Sequence, residues 1–195
     1  MTALDMLEPK ILVGSTTVTV PRLVAGDLVL RAPTSADFEP YAEILASSRS
    51  QFLNGPYNRA DAWKDFSLSV AEWVLFGLGP LAIETRGTFA GLVSISTHPD
   101  FPEPEMGWVL TSDAEGKGIA CRASRILMSW AAQSRTLPSL VSYMWPGNDR
   151  AAHLATRLGG QLDRAAPKPW PGAMVYRYPI AGDAILPTDI NRTAQ

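Results

Sequence analysis

Between Glu105 and Ala131 the spacing of apolar residues changes period, and that change restricts what the chain can fold into. "EMGWVLT" (105–111) is a short apolar run of the kind that forms a strand. From Ile119 the apolar positions Ile119, Ala120, Ala123, Ile126, Leu127, Trp130 and Ala131 fall on one stripe of a helix, with Arg122, Arg125 and Ser129 opposite. Only "SDAEGKG" (112–118) separates the two. Glycine is a poor helix former, so Gly116 and Gly118 at a helix start mark a tight turn or a place where something touches bare backbone. The first amides of a helix have no internal partners and sit at the positive end of its dipole. A glycine turn lets phosphates approach them, and Lys117 adds a cation at the mouth. Strand, turn and helix together outline a pyrophosphate cradle.

Of two nucleotide-binding patterns, one fails on the residues and the other matches weakly. A Walker A loop needs Ser or Thr after its Lys, but Gly118 follows Lys117, and Thr111 stands where the first glycine belongs. A Rossmann fingerprint needs a third small residue, and Cys121 occupies that place after Gly116 and Gly118.

The rest of the chain supplies a sheet for this unit. "DLVLRAP" (27–33) reads as a strand, and Thr34 and Asp37 stand at capping-box spacing before a helix carrying Phe38, Tyr41, Ala42 and Leu45. "QFLNGPYN" (51–58) is a loop. A second helix from Asp61 places Trp63, Phe66, Val70 and Trp73 on one side, a stripe read as core. "PLAIE" (80–84) and "TFAGLVSIS" (88–96) form a hairpin about Gly87, and "HPDFPEP" (98–104) is a proline-rich loop. "SLVSYMW" (139–145) is a buried strand. Asn148 can cap a helix over 149–158 that Gly159 and Gly160 stop, and "AMVYRYPI" (173–180) is a last strand. The order predicts an α+β (mixed α/β) domain around one central sheet. Residues 1–24 form an N-terminal arm or extra strand, 25–180 the domain, and 181–195 a C-terminal tail.

With 46% hydrophobic and 18% charged residues, 195 residues suffice for one domain with a real core. A net charge of -2 gives no reason to expect a nucleic-acid partner. No apolar run approaches the ~20 residues of a membrane span, and "MTALDMLEPK" lacks the basic start and apolar centre of a signal peptide. Cys121 is the only cysteine, so an internal disulfide is excluded and a cytoplasmic location is expected. His98 and His153 with one cysteine make no metal-ligand cluster of the usual spacing, so no metal is expected.

"EGKGIA" (115–120) resembles motif A of the GCN5-related N-acetyltransferase (GNAT) superfamily, Gln/Arg-x-x-Gly-x-Gly/Ala. Gly118 and Ala120 match, and Glu115 stands where the family has Gln or Arg. "LVLRAPTSADF", "EMGWVLTSDAEGKGIACRA" and "NDRAAHLATRLGG" look like three landmarks of the ribosomal-protein N-terminal acetyltransferase (Rim-type) branch, in family order over roughly residues 28–178. The resemblance implies a mostly antiparallel sheet that splays between the family's fourth and fifth strands. It implies acetyl-CoA as co-substrate. The expected contacts are the backbone of Trp108, Val109 and Leu110 for the pantetheine, and Glu115, Gly116, Lys117, Gly118, Ile119 and Ala120 for the pyrophosphate. Asn148 is read equally as a cofactor contact and as a helix cap.

The implied reaction is direct attack of an amine on the thioester in a ternary complex, with an amide such as that of Leu110 stabilising the oxyanion. A base must first deprotonate the ammonium. Relatives place a Tyr seven residues, or a Ser three residues, after the Asn of the fifth-strand segment. Here those places hold Ala155 and Ala151. Glu105 is the first choice of base, with Tyr143 and His153 as further candidates. Their structural readings are an exposed loop acid, a residue packed in the sheet and a solvated surface histidine. The partners expected are acetyl-CoA and an amine-bearing acceptor, a small molecule or a protein N-terminus, with a homodimer left open. The competing reading is a non-catalytic acyl-CoA-binding or regulatory module on the same fold.

Overall fold

The computed structural model describes residues 10–13 and 16–179, so the 181–195 tail lies outside the described residues. A hairpin of β1 (Lys10–Val13) and β2 (Thr16–Thr19) precedes an eight-stranded sheet. The sheet's strands are β3 (Leu23–Ala25), β4 (Leu28–Arg31), β5 (Gly79–Thr85), β6 (Thr88–Ser96), β7 (Glu105–Leu110), β8 (Val141–Met144), β9 (Gln161–Leu162) and β10 (Met174–Arg177). They lie side by side in the order β3-β4-β5-β6-β7-β8-β10-β9. Every neighbouring pair is antiparallel except β7 and β8, which run parallel. Helices α1 (Phe38–Ala46), α2 (Arg59–Phe76), α3 (Ile119–Ser134) and α4 (Asp149–Arg157) flank the sheet.

Alternation along the strands divides the core into two layers. Ala82 and Leu92 meet Phe38, Tyr41, Leu45 and Phe66 of α1 and α2. Their neighbours Leu81, Ile83 and Val93 point the other way, onto Ile119, Ala123 and Leu127 of α3. The α3 stripe is therefore buried as its spacing predicts.

Asp37 does more than its spacing with Thr34 suggests. Its carboxylate accepts from the Thr34 amide at 2.7 Å and takes a two-pronged grip from Arg31, each bond 2.8 Å. Arg31 also reaches Glu84 on β5 at 2.8 Å. One guanidinium thus joins β4, β5 and the turn before α1.

Three differences from the sequence reading have local causes. α2 begins at Arg59, because Asn58 caps it by accepting from the Asp61 amide at 2.9 Å. Trp63 is 47% exposed rather than core, resting edge-on against Phe38 at 4.8 Å. α2 is apolar on more than one side, with Leu68 and Leu75 also exposed, so a single stripe could not be assigned from spacing. β3 and β9 are too short for alternation to reveal. β3 joins the sheet edge across the expected boundary at residue 25.

Candidate active site

Strand β7 pairs with β6 along its whole length but with β8 only at Glu105 opposite Val141. Beyond that point the two parallel strands part. Ser142 marks the fork: its hydroxyl donates to the Met106 carbonyl at 2.6 Å and shares a 2.8 Å hydrogen bond with Tyr178. The backbone of an antiparallel strand turns its bonding groups alternately to either side. Thr111 donates to Ala90 on the β6 side, whereas Pro104 and Met106 accept on the β8 side. It follows that Trp108 and Leu110 turn their amides and carbonyls toward the parting, while Val109 spends its own on β6. Of the three backbones expected to line a cofactor, two face the gap. Val109 contributes a side chain packed on the α1 and α2 layer instead.

The fork opens into a cleft of about 860 Å³. It is lined by Trp108, Val109, Leu110, Glu115, Gly116, Gly118, Ile119, Ala120 and Asn148, and also by Glu105 and Tyr143. Lys117 is exposed and lies outside this lining.

At the turn, Gly116 and Gly118 adopt left-handed φ angles of 70° and 71°, which favour glycine. A side chain built at either would meet no atom within 4 Å, so the space over the turn is open. Gly118 caps α3 with no side chain of its own across the helix end. The fit to a diphosphate is therefore one of backbone: free amides, a positive dipole end and no Cβ in the way.

Glu115 does not point a bare charge at this turn. Its carboxylate is held between Arg49, from the connection between α1 and α2, and Arg150 of α4, the latter at 2.5 Å. Burial would raise its pKa, but the two guanidinium groups outweigh that and hold it below the usual carboxylate range. Arg49, Arg150, His153 and Arg157 all line this end of the cleft, which is consequently cationic. Asn148 accepts from the Ala151 amide at 3.3 Å, so it caps α4 while also lining the cleft. Cys121 is buried in the first turn of α3.

The other end is acidic and aromatic. Glu105 is part-buried at the fork, and its carboxylate accepts from the Tyr143 amide at 3.3 Å. Burial pushes its pKa up to about 8, against that hydrogen bond and with help from the Glu72 carboxylate. Tyr143 shares this face, and its hydroxyl accepts from the Glu103 amide at 3.1 Å. The phenol keeps its own proton to donate, and burial with the nearby Glu103 charge pushes its pKa up to about 12. Asp65 of α2 also lines this end; burial raises its pKa, opposed by a hydrogen bond from Tyr41. Phe101, Trp145 and Trp170 complete the wall, with Trp145 and Trp170 ring centroids 5.2 Å apart.

Arg49, Asp65, Arg150 and Trp170 were missed by sequence reasoning. Only Arg150 sits in a quoted landmark, "NDRAAHLATRLGG", and only the fold brings their segments to β7.

Among the described residues no three His, Cys, Asp or Glu side chains gather as a metal-ion site, and no helix is long and apolar enough to cross a membrane. A family model described as an acetyltransferase (GNAT) domain matches residues 27–161. A solved acetyltransferase from Agrobacterium tumefaciens is 41% identical, superposes with a TM-score of 0.78, and the match covers 82% of this chain and 94% of that one. An acetyl transferase from Salmonella typhimurium, which modifies the N-terminal serine of a 50S ribosomal subunit protein, is 17% identical with a TM-score of 0.64, covering 79% and 94%. A microcin self-immunity acetyltransferase, solved with acetyl-CoA and AMP, is 18% identical with a TM-score of 0.61, covering 78% and 92%. At these last two identities the likeness is one of fold.

Proposed function

The chain belongs to the GNAT acetyltransferase family, and from that premise we propose that it moves an acetyl group from acetyl-CoA directly onto an amine bound at the acidic end of the cleft. The observation that carries the reading is the fork. A basic carboxylate, a proton-bearing phenol and two unpaired stretches of strand backbone converge where β7 and β8 part.

Acetyl-CoA, when bound, supplies the activated acyl thioester. The residues of this chain do the rest. The glycine turn and the first amides of α3 hold the diphosphate, and the free backbone of Trp108 and Leu110 holds the pantetheine arm. The Leu110 N–H is a donor for the thioester oxygen as it gains charge. Glu105 takes the proton of the incoming ammonium. Its raised pKa suits that exchange, because a carboxylate of ordinary pKa is too weak a base near neutral pH. Tyr143 gives a proton to the departing thiolate and is restored by the second proton that the attacking nitrogen sheds as the amide forms. The carboxyl groups of Glu105 and Asp65 offer hydrogen-bond acceptors to an amine at one end, whereas the arginine-rich end favours the anionic donor.

Calorimetry with acetyl-CoA tests the donor, and absence of binding at millimolar ligand overturns the reading. A thiol-release screen across peptides, polyamines, amino acids and aminoglycosides tests the transfer. Acetyl-CoA binding without turnover on any class favours the non-catalytic module.

A further inference from the structure

Glu115 occupies a place where the family pattern has Gln or Arg, and its charge is the wrong sign for a phosphate site. Its surroundings reverse that sign. Two guanidinium groups meet one carboxylate, so the trio of Arg49, Glu115 and Arg150 carries one net positive charge beside the glycine turn. The arginines come from separate parts of the fold. Arg150 sits on α4, and Arg49 belongs to the connection between α1 and α2. A guanidinium has five donors, so each arginine can keep Glu115 and still bond a phosphate. A long side chain already held in place loses less freedom when it binds a ligand.

The connection that carries Arg49 is cross-bonded within itself. The buried Ser50 hydroxyl donates to the Leu45 carbonyl at 2.7 Å, the Gly55 amide donates to the Ser50 carbonyl at 3.0 Å, and the Tyr57 amide donates to the Leu45 carbonyl at 2.9 Å. A Cβ on Gly55 would fall 1.9 Å from the Ser50 hydroxyl, so the chain closes tightly there. Two of these bonds anchor the segment to the last turn of α1 and the third closes it on itself. It also lines the cleft through Gln51, Phe52, Leu53 and Asn54.

We propose that Glu115 is a positioning residue that sets Arg49 and Arg150 as a two-arginine clamp on the donor's phosphates, tying the connection between α1 and α2 to the donor site. This rests on the acetyl-CoA reading above and adds a coupling to it: the phosphates order the segment of cleft wall that carries Arg49.

The test compares CoA with pantetheine, which lacks the diphosphate and the nucleotide, by calorimetry and amide hydrogen exchange. Wild-type protein first has to bind CoA, and failure there counts against the donor reading itself. Given binding, Glu115→Gln and Arg49→Gln are each expected to weaken CoA by about tenfold, the scale of one charge-assisted bond, and to leave pantetheine affinity unchanged. Saturating CoA slows exchange across residues 48–58 in wild type, pantetheine does not, and Arg49→Gln abolishes the effect while CoA still saturates. Tighter CoA binding by Glu115→Gln would mean that the carboxylate merely repels phosphate, and the proposal falls. Equal weakening of CoA and pantetheine would reveal a general structural defect, and also overturns it. So would exchange protection by CoA that persists in Arg49→Gln.

Discussion

Glu105 keeps a carboxyl at the fork of the sheet, where an amide of the same shape would pack at lower electrostatic cost. Its pKa moves from the ordinary 4.5 up to about 8, so across that window the folded chain holds a proton that the unfolded chain has lost. Stability must therefore fall as pH rises from 4.5 to 8, and the penalty is complete above 8. Glu105→Gln removes it while preserving the acceptor for the Tyr143 amide. Scanning calorimetry should show a thermal midpoint raised by at least about 2 °C at pH 9, with a smaller gain at pH 6. The same variant should lose on the order of 100-fold in kcat/KM, as for a missing general base. In wild type, kcat/KM should climb with pH and level off above about pH 8. Tyr143→Phe should lower kcat by about tenfold or more with little change in acetyl-CoA affinity, measured by steady-state kinetics beside calorimetry. The strand positions of Glu105 and Tyr143 were legible from sequence because each lies on a recognisable apolar run beside a landmark. Arg49 was not, because nothing local relates a loop arginine to a glutamate that only the folded sheet brings near.

The strand–turn–helix unit from Glu105 to Ser134 was the most legible element, since its two periods and its glycines need no tertiary context. What spacing did not show was the direction of each β7 backbone group, which depends on pairing with β6 and on where β8 leaves. Gly118→Ala places a Cβ in a left-handed conformation and should cost about 1 kcal/mol of stability. It should also weaken CoA, by calorimetry, because the Cβ enters the open space over the turn. Gly91 tests the opposite side of the same strand. A Cβ there would lie 2.1 Å from the Val109 carbonyl, with φ at 143°, so it cannot be accommodated without prising β6 from β7. Gly91→Ala should cost more than about 2 kcal/mol in urea unfolding. The short strands β3 and β9 escaped sequence reading for a different reason. Elements of this length carry no period, and only the edge they complete defines them.

Across the whole molecule, Arg31 fastens β4 and β5 to the turn before α1. Its side chain is 25% exposed, and that of Asp37 only 4%. Burial would raise the Asp37 pKa, but the bonds from Arg31 and the Thr34 amide hold it below the usual value. A depressed carboxylate stabilises the fold above its unfolded pKa near 3.8 and loses that contribution as pH falls further. Asp37→Asn leaves Arg31 with Glu84 alone and should cost about 1.5–3 kcal/mol at pH 7, with the difference from wild type shrinking below pH 4. Denaturant titrations at the two pH values check both parts. The fork between β7 and β8 has a consequence for how the protein can change over generations. On the function proposed above, donor recognition there rests on peptide groups, which nearly every substitution leaves intact, whereas acceptor recognition rests on side chains such as Asp65, Phe101 and Trp170. Selection can therefore redraw the acceptor one residue at a time without losing the donor. Proline at 108 or 110, which deletes the amide itself, is the change this lineage has least room to tolerate.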